Sequence, residues 1–135
     1  MEKSKGSILI VDDEETVRRI LRRRLEAELY DCVTASGGED ALDKTVSHDF
    51  DVVLLDILMP GLSGMEVLPK LVDRQPHTQV IMVTSVLDHD TIEEAMKLGA
   101  YDYVTKPLNL GDIVTRVEKA LERKRCLPGN KEATD

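Results

Sequence analysis

Short apolar segments alternate with segments of helical periodicity along nearly the whole chain, and this alternation limits the fold more than any other feature. Strands are predicted at residues 7–11, 30–35, 51–55, 79–83 and 100–105. Residues 8–11, 52–55 and 80–83 carry no charged side chain, which is typical of strands buried on both faces. Five successive strand–helix units favour an α/β fold, in which helices cover both faces of a parallel sheet and the crossovers are right-handed.

The predicted helices have apolar stripes and recognisable capping residues. They are expected over residues 16–29, 39–48 and 64–74, over a stretch that ends near Gly99, and over residues 110–125. A loop with Asp88 and Asp90 is expected to cap the fourth helix, and Asp90 with Glu93 has the spacing of a capping box. Gly99 is placed at its carboxyl end, and Asn109 is predicted to cap the fifth. Pro69 lies inside the third helix, where a kink is expected.

Composition argues for a single domain and against several classes of function. A chain of 135 residues has room for one core, and its formal net charge of −8 argues against generic nucleic-acid binding. Cys32 and Cys126 are too few and too far apart for a disulfide framework or a zinc site. The first apolar run is too short for a signal peptide or a membrane span, so a cytoplasmic location is expected. Neither a G-x-G-x-x-G nor a P-loop motif is present.

Polar side chains stand at the carboxyl ends of four predicted strands. They are Asp12 with Asp13, then Asp56, Thr84 and Lys106. The carboxyl ends of parallel strands meet at one edge of a sheet, where open α/β sheets bind ligands. Three crowded carboxylates repel one another, so a positive group must compensate, either Lys106 or a divalent cation. Carboxylate oxygens with open positions beside them suit Mg²⁺. The alternative is that these acids merely face water in loops.

Four motifs in order give the chain a family resemblance: Ile10-Val11-Asp12-Asp13-Glu14, Asp56-Ile57-Leu58-Met59-Pro60-Gly61, Val83-Thr84-Ser85 and Tyr103-Val104-Thr105-Lys106-Pro107. Together they resemble the receiver domain of bacterial two-component response regulators, of the chemotaxis-receiver type. The resemblance implies a flavodoxin-like, doubly wound, five-stranded parallel sheet with strand order 2-1-3-4-5 and five helices. The expected organisation is a disordered segment at residues 1–6, a receiver domain at 7–125, and a tail or linker remnant at 126–135.

The resemblance also assigns roles at the strand ends. Asp56 is the implied phosphoacceptor, which takes a phosphoryl group from a histidine of a partner kinase or phosphotransfer protein. Asp13, Asp56 and the backbone carbonyl of Leu58 are the implied Mg²⁺ ligands, and Asp12 helps through water. Lys106 is expected to pair with the phosphoryl oxygens.

Further implied roles concern switching and the lifetime of the phosphorylated state. Thr84 is expected to donate its hydroxyl to the phosphoryl group, and Tyr103 is expected to move between outward and inward positions with it. The Lys106–Pro107 peptide bond is expected to be cis. The resemblance places Leu58 and Val86 at two variable positions beside the phosphoryl group. Because both are apolar, they predict slow dephosphorylation.

The resulting hypothesis is a phosphorylation-activated switch that catalyses only its own phosphorylation and dephosphorylation. Its partners would be a kinase, an output domain and a second copy, docked through the face of helix 4, strand 5 and helix 5. No contact of this domain with nucleic acid or membrane is expected. Two alternatives are an aspartyl-phosphate phosphatase of the haloacid-dehalogenase type and a degenerate receiver that only docks. Leu58 stands where the phosphatase needs its second acid, and the intact acids, Thr84 and Lys106 argue against degeneracy.

Overall fold

The computed structural model describes residues 3–85 and 88–127 and contains one five-stranded, fully parallel sheet. Its strand order is β2-β1-β3-β4-β5, so the predicted order is confirmed. The first strand begins one residue earlier than predicted. The strands are β1 Gly6–Val11, β2 Tyr30–Ala35, β3 Val52–Asp56, β4 Gln79–Thr84 and β5 Asp102–Thr105.

Helices cover both faces of the sheet. They are α1 Glu15–Ala27, α2 Gly38–Ser47, α3 Gly64–Arg74, α4 His89–Lys97 and α5 Leu110–Arg125. Alternate residues of β1 enter different cores: Leu9 and Val11 pack on the side of α2, α3 and α4, whereas Ile8 and Ile10 pack on the side of α1 and α5. This two-sided burial explains why the apolar runs are uninterrupted.

The helix caps agree with the sequence patterns at two places and differ at two. Asn109 accepts the amide hydrogen of Asp112 as predicted, and Gly99 follows α4 with a φ of +111°. Its neighbour Ala100 donates to the carbonyl of Ala95, which completes a Schellman motif. The predicted loop does cap α4, through Asp88, which accepts the amide hydrogen of Asp90, so the predicted Asp90–Glu93 capping box is wrong.

A capping box does exist, but at the start of α3. The Ser63 hydroxyl accepts the amide hydrogen of Glu66, and the Glu66 carboxylate accepts that of Ser63. This pair fixes the start of α3 directly after the loop that follows β3.

On both edge strands of the sheet, side chains form hydrogen bonds with backbone groups that point away from the neighbouring strand. On β2, the Lys44 ammonium donates to the carbonyl of Thr34 over 2.6 Å. On β5, the amide of Tyr103 donates to Asp102 Oδ1 over 2.8 Å, and Arg116 donates to the carbonyl of Tyr103 over 3.3 Å. Each edge therefore has at least one backbone group already bound within its own chain.

Candidate functional site

The candidate site lies at the carboxyl edge of the sheet, between β1 and β3. Asp12 directly follows β1, Asp56 is the last residue of β3, and Thr84 is the last residue of β4. Lys106 directly follows β5. The chain leaves β1 toward β2 on one side and enters β3 on the other, so this is the point where the strand order reverses, and ligands of such sheets bind there.

Three carboxylates meet at this point. Asp12, Asp13 and Asp56 each offer an oxygen atom within 4.8 Å of the others. Asp12 and Asp56 are buried, with exposed fractions of 2% and 3%, whereas Asp13 is exposed. Backbone amides hold the buried pair: Glu14 donates to Asp12 Oδ1 over 2.9 Å, and Leu58 donates to Asp56 Oδ1 over 3.2 Å. The predicted convergence of these acids is therefore present.

Lys106 supplies the positive charge in this cluster. Its ammonium nitrogen lies 3.0 Å from Asp12 Oδ2, 3.5 Å from Asp56 Oδ2 and 3.6 Å from Glu14 Oε1. Its backbone amide donates to the carbonyl of Thr84 over 2.8 Å, and the Lys106–Pro107 bond is cis. Lys106 follows β5, which is separated from β3 by β4, yet its ammonium group contacts the carboxylates at the ends of β1 and β3.

Burial and charge shift the pKa of two groups in the cluster. The pKa of Asp56 is raised from 3.8 to about 6, first by burial and then by the charge of Asp12, against the opposing effects of Lys106 and the Leu58 amide. Burial works against the charge of Lys106, but the hydrogen bond to Asp12 and the charge of Asp56 outweigh it and raise that pKa. At neutral pH Asp56 is therefore mostly ionised, at a cost in stability.

The donor set fits a hard divalent cation. Carboxylate oxygens are the ligands that Mg²⁺ prefers, and one exposed carboxylate beside two buried ones leaves open positions for water or phosphate. The residues that fit are Asp12, Asp13 and Asp56. The role of the Leu58 carbonyl as a ligand stays a prediction.

The predicted switch residues Thr84 and Tyr103 lie on β4 and β5. Their movement on phosphorylation stays a prediction. Thr84 is fully buried at the end of β4. Tyr103, on β5, is 39% exposed, which is compatible with an outward side chain. Leu58 is 57% exposed in the loop after Asp56. Val86 lies outside the described residues.

Sequence reasoning missed three residues that shape the site. Glu14 approaches Lys106, Arg18 donates to the carbonyl of Asp12 over 2.7 Å, and Gly64 packs against the Asp56 backbone. Glycine needs close approach there, since a Cβ at Gly64 would lie 2.2 Å from the Asp56 carbonyl oxygen. The Ser63–Glu66 spacing marked the start of this helix, but nothing local indicated the close approach.

Comparisons with known proteins identify the family. The family model described as the response regulator receiver domain matches residues 8–118. The chain therefore belongs to the receiver domains of two-component response regulators.

Similar proteins include regulators and isolated receivers. The chain is 39% identical over 122 residues to the uncharacterized transcriptional regulatory protein YkoG of Bacillus subtilis, covering 88% of this chain and 52% of that protein. It is 34% identical over 116 residues to the response regulator ArlR of Staphylococcus aureus, covering 86% and 52%. The chain thus spans about half the length of these relatives.

Solved structures agree with the fold. A CheY-like receiver from Methanospirillum hungatei superposes with a TM-score of 0.86 at 28% identity, covering 91% of this chain and 97% of that one. A receiver from Clostridium thermocellum has a TM-score of 0.84 at 34% identity, covering 89% and 97%. Over residues 3–85 and 88–127, no helix is long and apolar enough to cross a bilayer.

Proposed function

We propose that this receiver domain is a phosphorylation-activated switch whose phosphoacceptor is Asp56. The observation that carries the proposal is the contact of Lys106 with both buried carboxylates at the strand ends, at 3.0 and 3.5 Å. Phosphoryl transfer depends on positioning and on neutralised oxygens more than on an acid–base pair. Asp56 supplies a nucleophile, and Lys106 a fixed positive charge beside it.

The proposed step is a displacement at phosphorus. An oxygen of Asp56 attacks the phosphoryl group of a phosphohistidine whose other ring nitrogen carries a proton from solvent. The new P–O bond forms as the P–N bond breaks, and the imidazole takes the electron pair of that bond and leaves in its neutral form. Ionised Asp56 provides the electron pair. Lys106 then exchanges part of its contact with Asp12 for the arriving phosphoryl oxygens.

Mg²⁺ would be held by Asp13, Asp56 and the Leu58 carbonyl, with Asp12 acting through water. When bound, it neutralises the phosphoryl oxygens as charge develops on them. Its charge would also relieve the repulsion among the three carboxylates. Asp13 is the exposed member of this set, whereas Asp12 and Asp56 are buried.

Phosphorylation would reach partners through the face of α4, β5 and α5. The Thr84 hydroxyl would move toward the phosphoryl group, and Tyr103 would turn inward as it does. A cavity of about 370 Å³ lies on this face between β5 and α5, lined by Tyr103, Pro107, Ile113 and Arg116 among others. Two relatives are about twice as long, which supports an output domain as the partner that responds to phosphorylation. A second copy of the chain is the other proposed partner. The proposed donor of the phosphoryl group is a histidine kinase or phosphotransfer protein.

Incubation with Mg²⁺ and acetyl phosphate tests the proposal. We expect the wild-type protein to gain one phosphoryl group and Asp56→Asn to gain none, as measured by intact mass. Asp49→Asn, which changes an exposed acid outside the site, should be labelled like the wild type. Equal labelling of the wild type and Asp56→Asn would refute the assignment of Asp56 as the phosphoacceptor. Labelling of the wild type that persists in EDTA would refute the role of the metal.

The lifetime of the phosphorylated state gives a second prediction. A polar side chain at position 58 can orient the attacking water, which leucine cannot do. Leu58→Asn combined with Val86→Glu should therefore speed phosphate release by about 10-fold or more, within the range of general acid–base effects. The measurement is phosphate release from purified phosphoprotein over time. Leu58→Ala removes bulk without adding polarity, so a similar acceleration in that variant would show that crowding sets the lifetime.

A further inference from the structure

Arg18 reaches from the second turn of α1 back to the loop that carries the acids. Its guanidinium donates to the backbone carbonyl of Asp12 over 2.7 Å. This carbonyl belongs to the peptide unit that joins Asp12 to Asp13. Because a peptide unit is planar and rigid, holding its oxygen fixes the direction in which the chain enters Asp13.

Of the three acids, Asp13 has the side chain with the fewest hydrogen-bond and ion-pair partners among the described residues. Asp12 is held by Lys106 and the Glu14 amide, and Asp56 by Lys106 and the Leu58 amide. Within residues 3–85 and 88–127, no hydrogen bond or ion pair is found for the exposed carboxylate of Asp13. Its position therefore depends on the backbone that precedes it.

That backbone is held on both sides of Asp12. The amide of Asp12 donates to the carbonyl of Ala35 at the end of β2, and its carbonyl accepts from Arg18. Arg18 is half-buried and lines a cavity of about 250 Å³ together with Thr34 of β2. The guanidinium of Arg18 therefore binds the carbonyl oxygen of the Asp12–Asp13 peptide from the side of α1.

We propose that Arg18 is a positioning residue, which orients Asp13 as a metal ligand through the Asp12–Asp13 peptide. The inference rests on the proposed function, because it assumes that Asp13 binds Mg²⁺. Residues that orient metal ligands from outside the coordination sphere commonly change metal affinity by about 10-fold or more when replaced.

The sign of the effect separates positioning from simple electrostatics. Arg18 is a cation close to an acidic site, so removing its charge alone would strengthen Mg²⁺ binding. Losing the hydrogen bond would let the loop relax and would weaken binding. A weaker affinity after neutralising Arg18 is therefore the opposite of what its charge predicts.

The test is calorimetric titration of Mg²⁺ into the wild-type protein, Arg18→Gln, Arg18→Lys and Arg19→Gln. Arg19 is the matched control, since it carries the same charge one residue further along α1 and is exposed. We expect Arg18→Gln to weaken Mg²⁺ binding about 10-fold, and Arg18→Lys, which keeps a charged donor, to lose less. Arg19→Gln should bind as tightly as the wild type or more tightly. The Mg²⁺ concentration that gives half-maximal labelling by acetyl phosphate should rise by a similar factor in Arg18→Gln.

Two negative outcomes point to different failures. A wild-type protein that binds no Mg²⁺ would overturn the metal site in the proposed function. A wild type that binds Mg²⁺, with Arg18→Gln binding equally or more tightly, would overturn the role of Arg18 alone. An equal loss in Arg18→Gln and Arg19→Gln would also overturn it, because the effect would then not depend on the bond to Asp12.

Discussion

Replacing Gly64 by alanine should destabilise the protein by about 3 kcal/mol or more and should impair phosphoryl uptake as well. The added Cβ would lie 2.2 Å from the Asp56 carbonyl oxygen and 2.8 Å from Ile57 Cα. Both contacts are with backbone, which cannot rotate away, so α3 must move off the end of β3. Overpacking of this kind typically costs 1–3 kcal/mol and sometimes more. The displaced peptide is the one that carries the acceptor, so the site should be disturbed together with the fold.

Gly61→Ala is the matched control for this effect. Gly61 has a φ of +76° but open space around its Cβ position, so alanine there should cost only about 1 kcal/mol through backbone strain. Urea unfolding of both variants gives the comparison, with labelling by acetyl phosphate as the second readout. The steric argument would be refuted if Gly64→Ala were no less stable than Gly61→Ala.

Asp56→Asn should stabilise the metal-free protein by about 3 kcal/mol at pH 7 and above. The pKa of Asp56 is raised from 3.8 to about 6, mainly by burial and then by the charge of Asp12. A carboxyl whose pKa is raised in the folded state costs stability once it ionises, and a shift of this size corresponds to about 3 kcal/mol. Asparagine has a similar shape and carries no charge, so the variant avoids this cost.

The pH dependence gives the prediction its sign. Well below pH 3.8 the carboxyl is protonated in both the folded and the unfolded protein, so the two proteins should be equally stable. As pH rises from about 4 to about 6, the wild type should lose stability relative to Asp56→Asn, and the difference should then stay constant. Urea unfolding in EDTA across this range is the measurement, with Asp49→Asn as an exposed control. Saturating Mg²⁺ should shrink the difference, and a variant less stable than the wild type at pH 7 would contradict the interpretation.

Much of the site could be predicted from sequence because parallel strands impose a common edge. Asp12, Asp56, Thr84 and Lys106 each follow or end an apolar run, so the strand pattern alone brought them to one place. The strand order came from family resemblance, since alternation of strands and helices fixes the crossovers but not the order of strands.

Other features depend on contacts that local patterns do not encode. The bond from Arg18 to Asp12 and the close approach of Gly64 to Asp56 require the folded positions of α1 and α3. Asp88 and Asp90 suit the α4 cap equally well by residue type, and the backbone path places Asp88 there. The Ser63–Glu66 capping box, by contrast, has a spacing that the sequence does encode.

The occupied edges of the sheet limit how this domain can meet other proteins. A partner that joined β2 or β5 as a sixth strand would have to displace Lys44 from Thr34, or Arg116 and Asp102 from Tyr103. Backbone pairing is largely indifferent to sequence, whereas contacts between side chains are not. Addition of a strand at either edge would therefore cost hydrogen bonds that recognition of the helices and loops would leave intact.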